Sequence, residues 1–251
     1  MALLERVLQR GPPGLRPDEV EGDRMTVLEH LYALRRAVIV AVLAWGLGSV
    51  AGFLVWGRVL ELLLVRAGVH TVYYHTPTGA FALALKIAIY LGFVIASPVI
   101  IQQIWWFVSP GLKRSERRLV GPLVLATMFF FAVGVGFAIF SLPLFIHILG
   151  SFAPPNLKYL PFVDDYINFI LVLIIAFGIV FELPVVVWSL GMLRIINSKW
   201  LYRNRFYWVI GIAMIAYLAT PGVDPITPLV MFVPLYLFWE GTALLLKLTG
   251  H

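Results

Sequence analysis

Four long apolar runs, at residues 37–57, 80–108, 119–150 and 166–193, are interrupted by only two charged side chains, Lys86 and Glu182. A helix crossing ~30 Å of hydrocarbon needs about 20 apolar residues, because each residue rises ~1.5 Å. Each run meets that length, and the last three exceed it, so tilt, kinks or helix beyond the lipid are expected, with Pro98, Pro122, Pro143 and Pro184 as kink sites. A soluble core cannot absorb this much apolar sequence. Of the 251 residues 61% are hydrophobic and 13% charged, and the charges cluster between the runs instead of spreading over every element. The fold class that follows is all-α, a polytopic membrane protein.

Beyond Arg205 the pattern shortens. Residues 206–220 make an apolar stretch of ~22 Å at helical rise, too short for a comfortable crossing. Pro221-Gly-Val-Asp-Pro225 then forms a tight turn, and residues 226–246 continue with Pro228 and Pro234 in their first half. These read as short fifth and sixth spans that would thin the bilayer locally; the alternative is one re-entrant hairpin. The whole is expected as a single six-helix transmembrane domain over residues 25–248, a concave, cupped bundle, preceded by a polar extension at 1–24. That extension mixes Arg6, Arg10, Arg16 and Arg24 with five carboxylates and three prolines, has room for a short amphipathic helix at 3–9, and lacks the apolar segment of a secretory signal.

Orientation follows from cations, which cytoplasmic segments retain. Fifteen of the 19 Lys and Arg lie before the first run, after the second, after the fourth, or in the tail; Arg58, Arg66, Lys86 and Lys158 fall on or near the other side. Six crossings then place both termini in the cytoplasm. Trp105, Trp106, Trp200, Tyr202, Tyr207 and Trp208 flank the basic loops as an interfacial belt would. The net charge of +6 therefore reports orientation and not nucleic-acid binding.

Several classes of chemistry have no footing. Cysteine is absent, no second histidine follows His30 at helical spacing, and no HExxH, GxSxG or phosphate-cradling glycine loop occurs, so neither a metal, a cofactor nor a hydrolytic site is expected. No internal repeat is evident, which weighs against an inverted-repeat transporter.

A few polar residues stand out. Glu116 lies among Lys113, Arg114, Arg117 and Arg118; it reads either as a neutralised surface carboxylate or as an acceptor for a guanidinium ligand, which a carboxylate binds through two parallel N–H bonds. Glu29 to Arg36 form an amphipathic entry to the first span, with Glu29, Ala33 and Arg36 near one face. Glu182 sits inside the fourth run, where a carboxylate costs ~2.5–3.5 kcal/mol; either it is protonated or it meets a neighbouring helix, a cavity or a partner, and Pro184 allows a bend beside it. Lys86 is near enough to the end of its span to snorkel outward. Gly48-Ser-Val-Ala-Gly52 and Gly134-Val-Gly136 suit close helix packing.

The motifs resemble the TatC family. His30-Leu-Tyr-Ala-Leu-Arg35 is similar to its N-terminal signature. The segment from Ser97 to Arg118, which ends Trp-Trp-Phe-Val-Ser-Pro-Gly-Leu-Lys-Arg-Ser-Glu-Arg-Arg118, resembles its second span and first cytoplasmic loop. Phe177-Gly-Ile-Val-Phe-Glu-Leu-Pro184 resembles its fourth-span motif and Thr220-Pro-Gly-Val-Asp-Pro-Ile-Thr-Pro228 its last periplasmic turn, all in matching order. The resemblance implies a non-enzymatic receptor in a prokaryotic plasma membrane, one that binds twin-arginine signal peptides of folded cargo and assembles with TatA- and TatB-type single-span subunits and further copies of itself, driven by the proton gradient. It implies signal contact at Glu116, Phe107, Leu31 and Arg35, partner contact at Glu182, and the periplasmic-turn aspartate at Asp224. Two positions depart from the pattern. Ala33 stands where a second recognition glutamate is usual, for which Glu29 one turn earlier is the expected substitute, and Gly79 stands where the outer loop often has Glu. The rival readings are a proton-coupled solute transporter using Glu182 and a purely structural scaffold.

Overall fold

The computed structural model describes residues 27–69, 71–112, 117–154, 156, 160, 162–220 and 224–249. The expected helix at 3–9, the cations Lys113, Arg114 and Lys158, Glu116, and the turn residues Pro221 to Val223 lie outside them. Eight α-helices follow in order among the described residues: α1 (Val27–Arg66), α2 (Gly79–Val108), α3 (Val120–Ser151), α4 (Val163–Val180), α5 (Leu183–Met192), α6 (Ser198–Arg203), α7 (Arg205–Ala219) and α8 (Ile226–Leu248). The described residues hold no β-strand, only a single bridge pairing between Tyr73 and Phe162.

Among the described residues five segments are long and apolar enough to cross a membrane: Leu28–Arg66, Gly79–Gly111, Arg117–Ser151, Val163–Met192 and Ile226–Leu248. The helix α7, with 15 residues, is the short one. The sixth run, by contrast, is not undersized. Its 23 residues reach ~35 Å, because Pro228 falls in the first turn, where no N–H is needed, and Pro234 is accommodated within the helix.

Each departure from a plain rod has a local cause. The first helix continues well past its apolar run on both sides, to 40 residues, and stops where Gly68 takes φ of 71°. There Val69 N–H bonds the Leu64 carbonyl at 3.0 Å and Gly68 N–H the Val65 carbonyl at 3.1 Å, a Schellman closure that needs a residue tolerant of positive φ. Within α2, Pro98 has no N–H to offer the Val94 carbonyl, and the Ser97 hydroxyl donates to it instead at 2.8 Å. The fourth run is two helices, α4 and α5, broken at Phe181 and Glu182 just before Pro184, where a bend is expected.

Packing is tight where glycine allows it. A Cβ on Gly48 would stand 2.6 Å from the Gly92 carbonyl oxygen, and one on Gly52 2.8 Å from that of Ala88, so α1 and α2 lie backbone to backbone. The indole N–H of Trp45 donates to the Ile89 carbonyl at 2.9 Å along the same seam. At the second expected small-residue site only half of the pair is used: Gly134 lies against the Phe177 carbonyl on α4, whereas Gly136 faces open space. The core gathers around Phe145, Phe177, Phe181 and Trp239, all essentially inaccessible, with Phe137 and Phe238 rings packed on Phe181. Exposed leucines and valines such as Leu47, Val50 and Leu54 cover the outer face of α1, as lipid solvation of that face requires.

Candidate functional site

At the end of the bundle that carries the basic segments, α1 and α2 are joined through their aromatic side chains. The His30 imidazole stacks on the Phe107 ring with centroids 4.3 Å apart and planes 28° apart. That contact gives His30 a packing role. It also sets one rim: Glu29, Leu31 and Arg35 are exposed on the first turns of α1, and Phe107 is half-buried one residue before the end of α2. Beyond Phe107 the chain turns through two short 3-10 segments, Ser109–Gly111 and Arg117–Leu119. The Arg117 guanidinium donates to the Pro110 carbonyl at 3.4 Å, which closes the loop on itself. Glu116 is the residue before Arg117, and it lies outside the described residues.

A second feature lies deeper. A cavity of about 530 Å³ opens between α2, α3, the α4–α5 break and α7, lined among others by Phe93, Ser97, Thr127, Phe131, Glu182 and Trp208. Its wall is almost wholly apolar. The chain break supplies the exception: Glu182 sits at the start of α5, where its side chain makes no capping bond to the helix. The Oε1 of Glu182 is buried without a hydrogen-bond partner. Thr127, whose hydroxyl accepts the Trp105 indole N–H at 3.0 Å, is the polar side chain beside it. A buried carboxylate oxygen lacking a donor is costly, and a visiting group that supplies one recovers that cost.

The other sequence candidates separate from these two features. Asp224 accepts from the Ile226 and Thr227 N–H groups at 3.0 and 2.6 Å and from the Thr227 hydroxyl at 2.9 Å, which makes it the cap of α8. Lys86, instead of snorkelling alone, reaches Asp164 at the start of α4 at 3.8 Å. A Cβ on Gly79 would stand 3.7 Å from Asp164 Oδ2, so the small residue there lies beside a carboxylate already present. Glu29 and Ala33 lie one helical turn apart on α1, the spacing on which the expected substitution rests.

Sequence reading missed one carboxylate. Glu240, in α8, accepts from Arg205 at 3.0 Å and from the Tyr236 hydroxyl at 3.2 Å. The signal was available, since Tyr236 precedes Glu240 by one helical turn within an otherwise uncharged run.

Comparison with known proteins covers most of the chain. The family model described as Sec-independent protein translocase protein (TatC) matches residues 29–234. The Sec-independent protein translocase protein TatC of Carboxydothermus hydrogenoformans is 37% identical, over 91% of this chain and 95% of its own length. That of Aquifex aeolicus is 35% identical, over 89% of this chain and 95% of its own, and the chloroplastic TATC of Arabidopsis thaliana is 32% identical, over 94% and 71%. A crystal structure of the twin-arginine translocase receptor TatC superposes with a TM-score of 0.75 at 35% identity, covering 89% of this chain and all of that one. A structure of the receptor in the detergent DDM gives 0.76 at 34% identity.

Proposed function

The chain belongs to the TatC family of Sec-independent protein translocases, multi-pass membrane proteins without enzymatic activity, and from that premise we propose that it is the receptor that binds twin-arginine signal peptides and gathers the translocase around them. The observation that carries the proposal is the stack of His30 on Phe107, which holds the exposed Leu31 and Arg35 beside the end of α2 and the closed loop that follows.

In this reading the site residues have separate tasks. Glu116 takes the guanidinium pair through parallel N–H···O bonds, with Glu29 supplying the second acceptor that Ala33 lacks. Phe107 and Leu31 offer apolar contact to the residues around that pair. The apolar segment of the signal, or the helix of a TatA- or TatB-type partner, then lies in the cavity and brings a donor to Glu182. Asp224 keeps the last turn in shape. The rim bearing Arg35, Arg117 and Arg205 faces the cytoplasm of a prokaryotic plasma membrane, with both termini on that side. Residues 25–248 act as one domain, and 1–24 as a polar extension. The proton gradient supplies the energy, and further copies of the chain complete the active complex.

The test is a pulldown of the detergent-solubilised protein on an immobilised twin-arginine peptide and on its twin-lysine version. Retention on the first and loss on the second, abolished by Glu116→Ala, is the expected result. Equal retention on both peptides would remove the receptor reading. Solute flux through the purified chain alone, insensitive to Glu116→Ala, would favour the transporter reading instead.

A further inference from the structure

The face of α1 that adjoins the rim at Arg35 presents a different chemistry. Tyr32, Arg35, Arg36, Ile39 and Val40, spaced at helical intervals along one side, line a shallow pocket of about 290 Å³. Tyr32, Arg35 and Arg36 are exposed, as is Ile39 one turn further into the apolar run. Neither guanidinium pairs with a carboxylate among the described residues.

Depth fixes what can reach such a pocket. From Arg36 to Arg58, the next charge along the helix, α1 advances about 33 Å at ~1.5 Å per residue, close to the thickness of a bilayer's hydrocarbon. The two arginines therefore stand at the plane of the lipid phosphates. Side chains on a helix lean toward its N-terminus, which carries both guanidinium groups outward to the headgroups and leaves Ile39 and Val40 against the first methylenes of the chains. A group filling this pocket is anionic, with paired acceptor oxygens, at one end and hydrocarbon at the other.

We propose that Tyr32, Arg35, Arg36, Ile39 and Val40 form a binding site for one anionic phospholipid, its phosphate held by the two guanidinium groups and its acyl chain along Ile39 and Val40. Guanidinium forks match phosphate oxygens in pairs, and the tyrosine hydroxyl adds a donor at the same level. The pairing also answers a difficulty in the signal site, where a cation on the receptor would repel a cationic ligand. A lipid phosphate neutralises the Arg35 end of the rim and leaves the carboxylates to select the arginine pair.

The experiment reads lipid and not peptide, so it stands or falls apart from the receptor reading. The full chain, purified in a neutral detergent, is titrated with phosphatidylglycerol or phosphatidylcholine and the adducts are counted by native mass spectrometry. Preferential retention of phosphatidylglycerol is expected, weakened about 30-fold in the double variant Arg35→Gln, Arg36→Gln and only partly in the lysine pair Arg35→Lys, Arg36→Lys. The control Lys199→Gln, Arg203→Gln, at another basic segment, should keep the adduct. Equal binding of the two lipids, an equal loss in the control, or displacement by millimolar inorganic phosphate or glycerol phosphate would each overturn the proposal. The lysine pair guards against misfolding: if it behaves as the glutamine pair does while both unfold at the wild-type temperature, the guanidinium fork is refuted.

Discussion

The Arg205 guanidinium at the first residue of α7 donates to Glu240 Oε2 in the last part of α8 at 3.0 Å. The Tyr236 hydroxyl joins both, accepting from Arg205 and donating to Glu240, and the guanidinium carbon lies 5.5 Å from the Tyr236 ring centroid. A helix of 15 residues buries few side chains of its own, with Ile212 and Ala216 the fully buried ones. Its start is therefore pinned by a polar clasp where a longer helix would rely on packing. Both charged groups remain partly open to solvent, which limits the energy. A double-mutant cycle with Arg205→Ala and Glu240→Ala should give a coupling of about 0.5–1 kcal/mol in thermal unfolding, falling as salt is raised. Additive effects would mean that the clasp does not hold.

The seam between α1 and α2 should be the least forgiving site in the membrane. Gly48→Ala places a methyl 2.6 Å from the Gly92 carbonyl, a distance that backbone atoms can relieve only by moving the helices apart. A loss of about 1–3 kcal/mol is expected, against near neutrality for Gly136→Ala, which meets open space. Unfolding temperatures in one detergent compare the two directly, and an equal response would contradict the packing.

Asp224 should behave as a structural residue. Its carboxylate takes both free N–H groups at the start of α8 and the Thr227 hydroxyl besides. Asp224→Ala should cost about 1 kcal/mol and Asp224→Asn less, since asparagine also caps. Binding of a twin-arginine peptide should be unchanged in both variants at a temperature where they remain folded. Loss of binding with intact thermal stability would assign Asp224 a direct role.

Run lengths alone carried the fold, because hydrocarbon thickness is a ruler that sequence must obey. The amphipathic entry at Glu29 to Arg36 was legible, but the far limit of α1 was hidden because Arg58 and Glu61 end the apolar run without ending the helix, which continues to Arg66. The break at Phe181 and Glu182 was signalled by Pro184, since a proline must forgo one backbone bond. The rim was half legible. The resemblance to the TatC family singled out Leu31, Arg35 and Phe107, but no periodicity could say that His30 would lie on Phe107, because that contact joins distant segments through tertiary packing. Glu240 was less legible because its partner Arg205 is on another helix.

Glu182 should trade stability against transport. Its Oε1 is buried with no donor, in a wall mostly of Phe, Ile, Leu and Val side chains with Ser97, Thr127 and Trp208 among them. Replacing it by leucine removes the unmet group and fills the space with hydrocarbon, so Glu182→Leu should stabilise the isolated protein by about 1–3 kcal/mol. Export of a folded twin-arginine reporter should fall sharply in the same variant, with Glu182→Gln retaining part of it because an amide also accepts a hydrogen bond. A variant both more stable and fully active would show that the carboxylate serves no visitor.

The last prediction concerns α7 itself. At ~1.5 Å per residue its 15 residues reach ~22 Å, well short of a bilayer's ~30 Å hydrocarbon, whereas its neighbour α8 has 23 residues. Such a mismatch is relieved by thinning the lipid around the short helix, and α7 is also a wall of the cavity, through Trp208 and Ile215. Thinned lipid beside the proposed docking cavity would lower the barrier to a folded cargo. Inserting four leucines after Ile215 would add ~6 Å and bring the helix close to full span. The insertion should impair export of the reporter while leaving retention on the twin-arginine peptide intact, since the rim at His30 and Phe107 is not on α7. Replacing Val209, Ile210 and Met214 with leucine at constant length keeps the stretch apolar and should leave export unchanged. Undiminished export by the lengthened helix would show that its shortness has no part in transport.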